Sequence, residues 1–359
     1  MEILGIDVGF GFTKVSNGRI NYIFQSVIGD PVDIQFKTNF GDNEFVNNLH
    51  VTIDNKSYFI GEYAARQSLV REFTLEQDRL ISDFVKVLAM AAAGIYAENG
   101  ISMNVISGLP VAYLTHDHEN FAKSISGEHK IIYHMPDGKI EKRFLNINNI
   151  QLMPQPLGSI FNVLMDENGR VSNREIQSQK IGVIDIGFKT TDFTVFDHMK
   201  YIERSSSTTE FGISRSFTAI AEKLKKESGI QIELYRLFDA VDSGHIRIKG
   251  KEYNIANLKD RVFEYSAREI ISAMDNLWRD EWDIDYVILT GGGAKTLYEY
   301  IIPLMNIDIL PLNINTDIRF NNVNGYLKFG KNRWMKKPVN DTSSEEIIPD
   351  NEAENNPES

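Results

Sequence analysis

Apolar residues in this chain gather in short runs that end at glycine. Leu4-Gly5-Ile6-Asp7-Val8-Gly9 opens the sequence in this way, and Ile181-Gly182-Val183-Ile184-Asp185-Ile186-Gly187 repeats the plan with its Asp 178 residues later (185 − 7). Val287-Ile288-Leu289-Thr290 runs into Gly291-Gly292-Gly293-Ala294, followed by a helical stretch from Lys295. A short apolar run closed by a turn signal predicts a buried strand. After the first two runs come small or hydroxyl residues and then a further apolar run, which predicts a hairpin.

The pattern between these runs fills in the rest. Asn17-Gly18 predicts a tight turn, Arg19 to Val27 and Val51 to Ile60 predict strands, and Asp54-Asn55 splits the latter. Leu80, Ile81, Phe84, Val87, Leu88 and Ala91 share one face of a helix predicted over about 78–98. A buried strand at Met103 to Ile106 leads to the loop Ser107-Gly108-Leu109-Pro110. Pro136-Asp137-Gly138 marks a hairpin between Lys130–Tyr133 and Ile140–Leu145, and a strand at Ile150–Met153 runs into Pro154-Gln155-Pro156. In the second half, Ser214 is the expected N-cap of a helix to about Glu227, and another helix is predicted over roughly 255–281. The repeated order of strand, hairpin, strand and helix predicts a duplicated α/β fold with a cleft between its halves, where ligands sit at strand carboxyl ends.

Composition narrows the function. At 359 residues the chain can bury two cores, and 42% apolar with 25% charged content is ordinary for a globular protein. No apolar run reaches about 18 residues, and the sequence opens on a strand pattern in place of a signal peptide's apolar core, so a cytoplasmic protein without a membrane partner is expected. The absence of cysteine excludes disulfides and thiolate chemistry. Net charge is −12, and Asp341, Glu345, Glu346, Asp350, Glu352, Glu354 and Glu358 place seven of those charges in a tail expected to be disordered. No basic stripe offers itself to nucleic acid, so any link to DNA is expected to run through a partner protein.

The chemistry lies in the glycine turns. Glycine lets backbone N–H groups approach an anion, and Thr hydroxyls add donors. An Asp beside such a turn repels phosphate unless a hard divalent cation stands between them. Two hairpins facing each other would therefore clamp the phosphates of a nucleotide with Mg²⁺, and the three-glycine loop would lie flat against a purine ring and α-phosphate. Each turn alone is also compatible with an ordinary Asp-Gly turn. His116-Asp117-His118 lacks a third ligand nearby and is expected to be a polar loop. Lys223-Leu224-Lys225-Lys226 is expected to be a solvated helix face. Trp278 and Trp282 stand four apart, a helical spacing that fits core packing or a subunit contact.

Three glycine loops in this order resemble the actin-like ATPase superfamily, and their wording is similar to bacterial plasmid-segregation actins of the ParM/StbA type over about residues 1–337. The resemblance implies an α/β fold of duplicated actin/ribonuclease-H-like domains around a nucleotide cleft. It implies domain I at 1–155 and 319–337, domain II at 156–318, and an acidic tail at 338–359. By position, Gly9, Phe10, Gly11, Phe12, Thr13 and Lys14 would form the first phosphate loop. Asp185 to Asp192, with Gly187, Phe188, Lys189 and Thr190 as contacts, would form the second, and Gly291, Gly292 and Gly293, with Ala294, the adenosine loop. Gly212 would precede the helix flanking the base, with Lys223 and Glu227 as base or ribose contacts. Asp7 and Asp185 would hold Mg²⁺, and Gln155, helped by Asp185, would orient the attacking water, as glutamine does in other nucleotide hydrolases. Asn321-Asn322-Val323-Asn324-Gly325-Tyr326 resembles the segment that returns the chain to the first domain. Phe188 and Lys189 depart from the small residues usual there, as does Gln155 from the Glu common in segregation actins. The implied function is an ATP- or GTP-hydrolysing homopolymer filament for plasmid segregation through a DNA-binding adaptor. A filament for another cargo and a small-molecule kinase are the alternatives.

Overall fold

The structure, a computed structural model, describes residues 2–34, 45–73, 83–97, 101–109, 119–310 and 317–335. The acidic tail, His116-Asp117-His118, Pro110 and both ends of the helix expected over 78–98 lie outside the described residues.

Two sheets carry the fold. In the first, β1 (Glu2–Val8) pairs antiparallel with β2 (Phe12–Ser16), which pairs with β3 (Asn21–Gln25). The other side of β1 pairs parallel with β8 (Ser102–Leu109). Beyond it lie β10 (Ile140–Pro154), β9 (Gly127–His134), β5 (His50–Ile53), β6 (Lys56–Ile60), β4 (Ile28–Gly29) and β7 (Arg71–Glu72), ten strands in all. In the second sheet, β11 (Lys180–Ile186) pairs antiparallel with β12 (Thr191–Asp197) and parallel with β17 (Tyr286–Thr290). The centre of each sheet therefore repeats one plan: a central strand, a hairpin partner and a parallel neighbour. Strands buried on both faces explain why these segments read as continuous apolar runs.

The expected turns form. Asp54 and Asn55 both take positive φ (51° and 63°), the mirror-image turn whose twist suits a two-residue hairpin. At Asn17-Gly18 the turn is longer, because the Asn17 side chain accepts from the N–H groups of both Arg19 and Ile20. The hairpin strand at Ile140 and the strand ending at Met153 prove to be one strand, β10. Its first half pairs with β9 and its second with β8, and the register shifts between Ile147 and Asn149, so one strand serves two partners of opposite direction.

Helices cover the sheets. Asp83–Ile95 packs its Ala-rich face on the first sheet, and Ser214–Ser228 and Ala256–Leu277 pack together on the second. The second of these starts and ends inside the expected 255–281 range. Ser214 is the first helical residue, and Ile213 occupies the cap position without a side-chain bond. Ser214 N–H already donates to the Phe188 carbonyl at 2.7 Å, so the second hairpin takes over the role expected of a cap. Lys223, Lys225 and Lys226 are exposed while Leu224 is buried, as the solvated-face reading requires.

Two further helices lie between the sheets. Gln155–Leu164 and Asn321–Trp334 cross so closely that a Cβ on Gly325 would fall on the backbone carbonyl of Gly158. The late helix also packs on β1, β2 and β8, returning the chain to the first sheet.

Candidate nucleotide cleft

β1 and β11 end in matching turns. Gly9 N–H donates to the Phe12 carbonyl at 3.2 Å, and Gly187 N–H donates to the Thr190 carbonyl at 2.9 Å. The register places Lys14 across from Asp7 and Asp192 across from Asp185. Both turns open into one cleft, whose lining includes Gly9, Phe10, Gly11, Phe12, Lys14, Gly187, Phe188, Thr190, Gln155 and Gly291 to Gly293. The turns also meet through aromatic rings: Phe238 packs against Phe12 at 4.6 Å and against Phe188 at 5.4 Å between ring centres.

The charged floor is shared between the halves. Lys14 Nζ donates to Asp7 Oδ2 at 2.7 Å, and Gln155 Nε2 donates to Asp7 Oδ1 at 2.8 Å. Asn322 Nδ2 donates to Asp185 Oδ2 at 2.7 Å, and Asn322 accepts in turn from the Ser159 hydroxyl at 2.6 Å. Gln155 and Ser159 stand one helical turn apart, so one helix face reaches both aspartates. Burial pushes the Asp185 carboxyl up to about 6, with the Asp7 charge adding to it and the Asn322 amide opposing it. Burial likewise pushes Asp192 up to about 7, against donation from the Thr208 hydroxyl.

The third loop completes the cleft. Gly291 takes φ 95°, and a Cβ there would fall on Asp185 Oδ1 and the Ile186 carbonyl, so only glycine fits the seam between β11 and β17. The helix Gly292–Ile301 begins here, and its first two residues line the cleft.

Several expected residues fall elsewhere. Thr13 is fully buried, with its hydroxyl 3.0 Å from that of Ser26. Lys189 lies outside the lining, with Nζ 5.5 Å from the centre of the Phe10 ring. Gly212 packs against the backbone of Phe188 and Lys189 behind the turn, and Ala294 is buried one step below Gly293. Lys223 and Glu227 form an exposed ion pair with each other at 2.8 Å and do not line the cleft. Reasoning from sequence missed Ile213, Arg319 and Asn322 as lining residues. Asp192, the end of the expected second phosphate loop, does line the cleft and occupies the position of Lys14. Arg319 and Asn322 arrive from 130 or more residues away (319 − 187 = 132) and carry no local signature.

Two hairpins of one design facing across a cleft, with a glycine loop at its side, define an actin-like fold. Residues 5–158 match the family model of the actin like proteins N-terminal domain, and residues 183–301 match that of the archaeal actin homologue MreB-like C-terminal domain. The chain belongs to the actin-like superfamily. Similar solved structures include a 15-stranded ParM filament from Clostridium botulinum, with 26% identity, a TM-score of 0.77, and coverage of 92% of this chain and 99% of that one. The archaeal actin homolog Ta0583 in complex with ADP is similar at 20% identity and a TM-score of 0.74, covering 91% and 98%. Bacillus thuringiensis ParM with AMPPNP is similar at 19% identity and a TM-score of 0.70, covering 91% and 97%. Comparison with curated protein sequences finds no match. Among the described residues no helix is long and apolar enough to cross a membrane.

Proposed function

We propose that the chain is a nucleotide-dependent, filament-forming ATPase serving plasmid or DNA segregation. The observation that carries this reading is the single cleft shared by the Gly9 and Gly187 turns. Solved relatives of this fold include a ParM filament and proteins with ADP or AMPPNP. The parts divide as a domain I of 1–155 and 319–337 and a domain II of 156–318, with the nucleotide between them. ATP is the nucleotide of this reading, with GTP as the variant to test, and a DNA-binding adaptor is the link to cargo in the cytoplasm.

The residues suit a hydrated dication. The Asp7 charge adds to the cost of ionising Asp185, and a cation between them would relieve it. Among the described residues no third His, Cys, Asp or Glu joins them, so phosphate oxygens and water would complete the shell. Mg²⁺, when bound, supplies charge neutralisation at the phosphates. The backbone N–H groups of both turns hold the β- and γ-phosphates, and Lys14 adds a fixed positive charge. Gln155 gives its amide N–H to Asp7, which leaves its carbonyl oxygen to accept from a water and set its direction. Gln155 lacks a base, so it orients the water without taking its proton.

Filament growth is followed by sedimentation with Mg²⁺ and ATP, with ADP in parallel, alongside phosphate release. Pelleting with ATP and loss of the pellet with ADP support the reading. Turnover that requires an added small-molecule acceptor would replace it with a kinase.

A further inference from the structure

Phe188, which departs from the small residues usual at its position, touches the other phosphate turn directly. A Cβ on Gly11 would lie 3.0 Å from the Phe188 Cβ, so the backbone of the first turn packs on the side chain of the second. Phe238 then packs against Phe12 of the first turn and Phe188 of the second. Phe217 closes the group, 5.3 Å from Phe238 and 5.5 Å from Phe188 between ring centres. Tilted and edge-to-face rings at these spacings attract beyond their area burial, so Phe238 bonds the two turns to each other.

The strap that carries Phe238 reaches both halves of the molecule. Its 3-10 turn Leu234–Arg236 packs on the helix Ser214–Ser228, and Leu237 and Val241 are buried. Its other side sits on the first sheet. Tyr235 is buried in one cluster with Val27, Phe59, Ala64 and Ala65, and its carbonyl accepts from Gln25 Nε2 at 3.4 Å. The Arg71 guanidinium donates to the Glu233 carboxylate at 2.9 Å, and Arg236 donates to the Ala65 carbonyl at 3.3 Å. Gln25 stands opposite Phe12 in register, and Ser26 N–H donates to the Gly11 carbonyl at 3.0 Å. Val27 therefore begins past the first turn, on the side away from the Asp7 floor. The floor joins the halves through Gln155 and Asn322, and the strap joins them a second time beyond the turns.

Phosphates clamped from both sides leave only when the turns part, and parting them lifts Phe238 from Phe12 and Glu233 from Arg71. We infer that the Glu233–Phe238 strap is a clasp on nucleotide release, with Phe238 as the residue that positions the two turns and the Arg71–Glu233 pair as its catch. The inference rests on the nucleotide-cleft reading above and names what holds that cleft shut.

The test measures dissociation of N-methylanthraniloyl-ADP with Mg²⁺, chased by unlabelled ADP, from the full chain and its variants, with urea unfolding of each alongside. Arg71 and Glu233 are partly exposed and lie outside the cleft lining, so reversing their charges spares the phosphate contacts. Glu233→Arg is expected to speed dissociation about fivefold, and adding Arg71→Glu to bring it back to within about twofold of the wild type. Phe238→Ala is expected to speed it about tenfold, and Phe238→Leu to recover most of the difference. A purely structural role would lower the urea midpoint without recovery of the rate in the charge-swapped pair. Unchanged dissociation in Glu233→Arg, or fast dissociation that Arg71→Glu does not slow, overturns the inference while leaving the nucleotide cleft intact. A wild type that binds no N-methylanthraniloyl-ADP overturns the cleft reading, and the clasp falls with it.

Discussion

Gln155 gives its side-chain N–H to the Asp7 carboxylate across 2.8 Å, joining the start of the helix Gln155–Leu164 to the first hairpin. Replacing it with Ala removes the group that fixes the water, while the phosphate-binding turns stay in place. Gln155→Ala is expected to slow phosphate release about 10²-fold, with ATP affinity within about threefold of wild type. Single-turnover phosphate release and equilibrium binding of a fluorescent ATP separate the two effects. A large loss of affinity with normal turnover of bound ATP would remove Gln155 from this role.

Asp185 is tied to the second half by its own strand and to the late helix by Asn322. Asp185→Ala is expected to abolish phosphate release while keeping the far-ultraviolet circular dichroism of the wild type. Asn322→Ala frees the Asp185 carboxylate from its donor and is expected to cut turnover by about tenfold. Normal turnover in Asp185→Ala would place the chemistry elsewhere.

The buried acids make the ligand-free fold sensitive to pH. Asp185 and Asp192 sit near 6 and 7 in the fold, against an ordinary value of 3.8. The fold thus keeps protons that the unfolded chain releases. Their contribution is most favourable below about pH 4 and is lost as pH rises through about 6 to 7. Asp192→Asn removes the larger of the two costs and keeps an acceptor for Thr208. It is expected to stabilise the ligand-free protein by about 1–3 kcal/mol at pH 8 and by little below about pH 4, read from urea unfolding at each pH. A gain independent of pH would contradict the assignment.

The crossing at Gly158 and Gly325 sets the distance between the two helices under the cleft. Gly325→Ala places a methyl group on a backbone carbonyl, which neither helix can evade by a rotamer change. A loss of about 2–4 kcal/mol in urea unfolding is expected, with reduced ATP affinity because Gln155 and Asn322 ride on these helices. Wild-type stability in this variant would show that the crossing is loose.

Sequence legibility followed chain distance. The strands and turns around Asp7, Asp185 and Gly291 could be read because each is a contiguous apolar run with its own glycine punctuation. The floor of the cleft could not, since Asn322 reaches Asp185 through a helix that begins 136 residues later (321 − 185). Lys223 and Glu227 lie on the helix expected to carry them, where an i,i+4 pair joins their charges on its outer face. The merged strand β10 was hidden because its apolar alternation breaks at the bulge near Asn148, where it looks like two strands.

A crystal structure with Mg²⁺ and a non-hydrolysable ATP tests the shared cleft most directly. The predicted result places one triphosphate within hydrogen-bond reach of backbone N–H groups from both the Gly9–Phe12 and the Gly187–Thr190 turns, with one metal between Asp7 and Asp185. A nucleotide bound to only one turn, or outside the cleft, would contradict it.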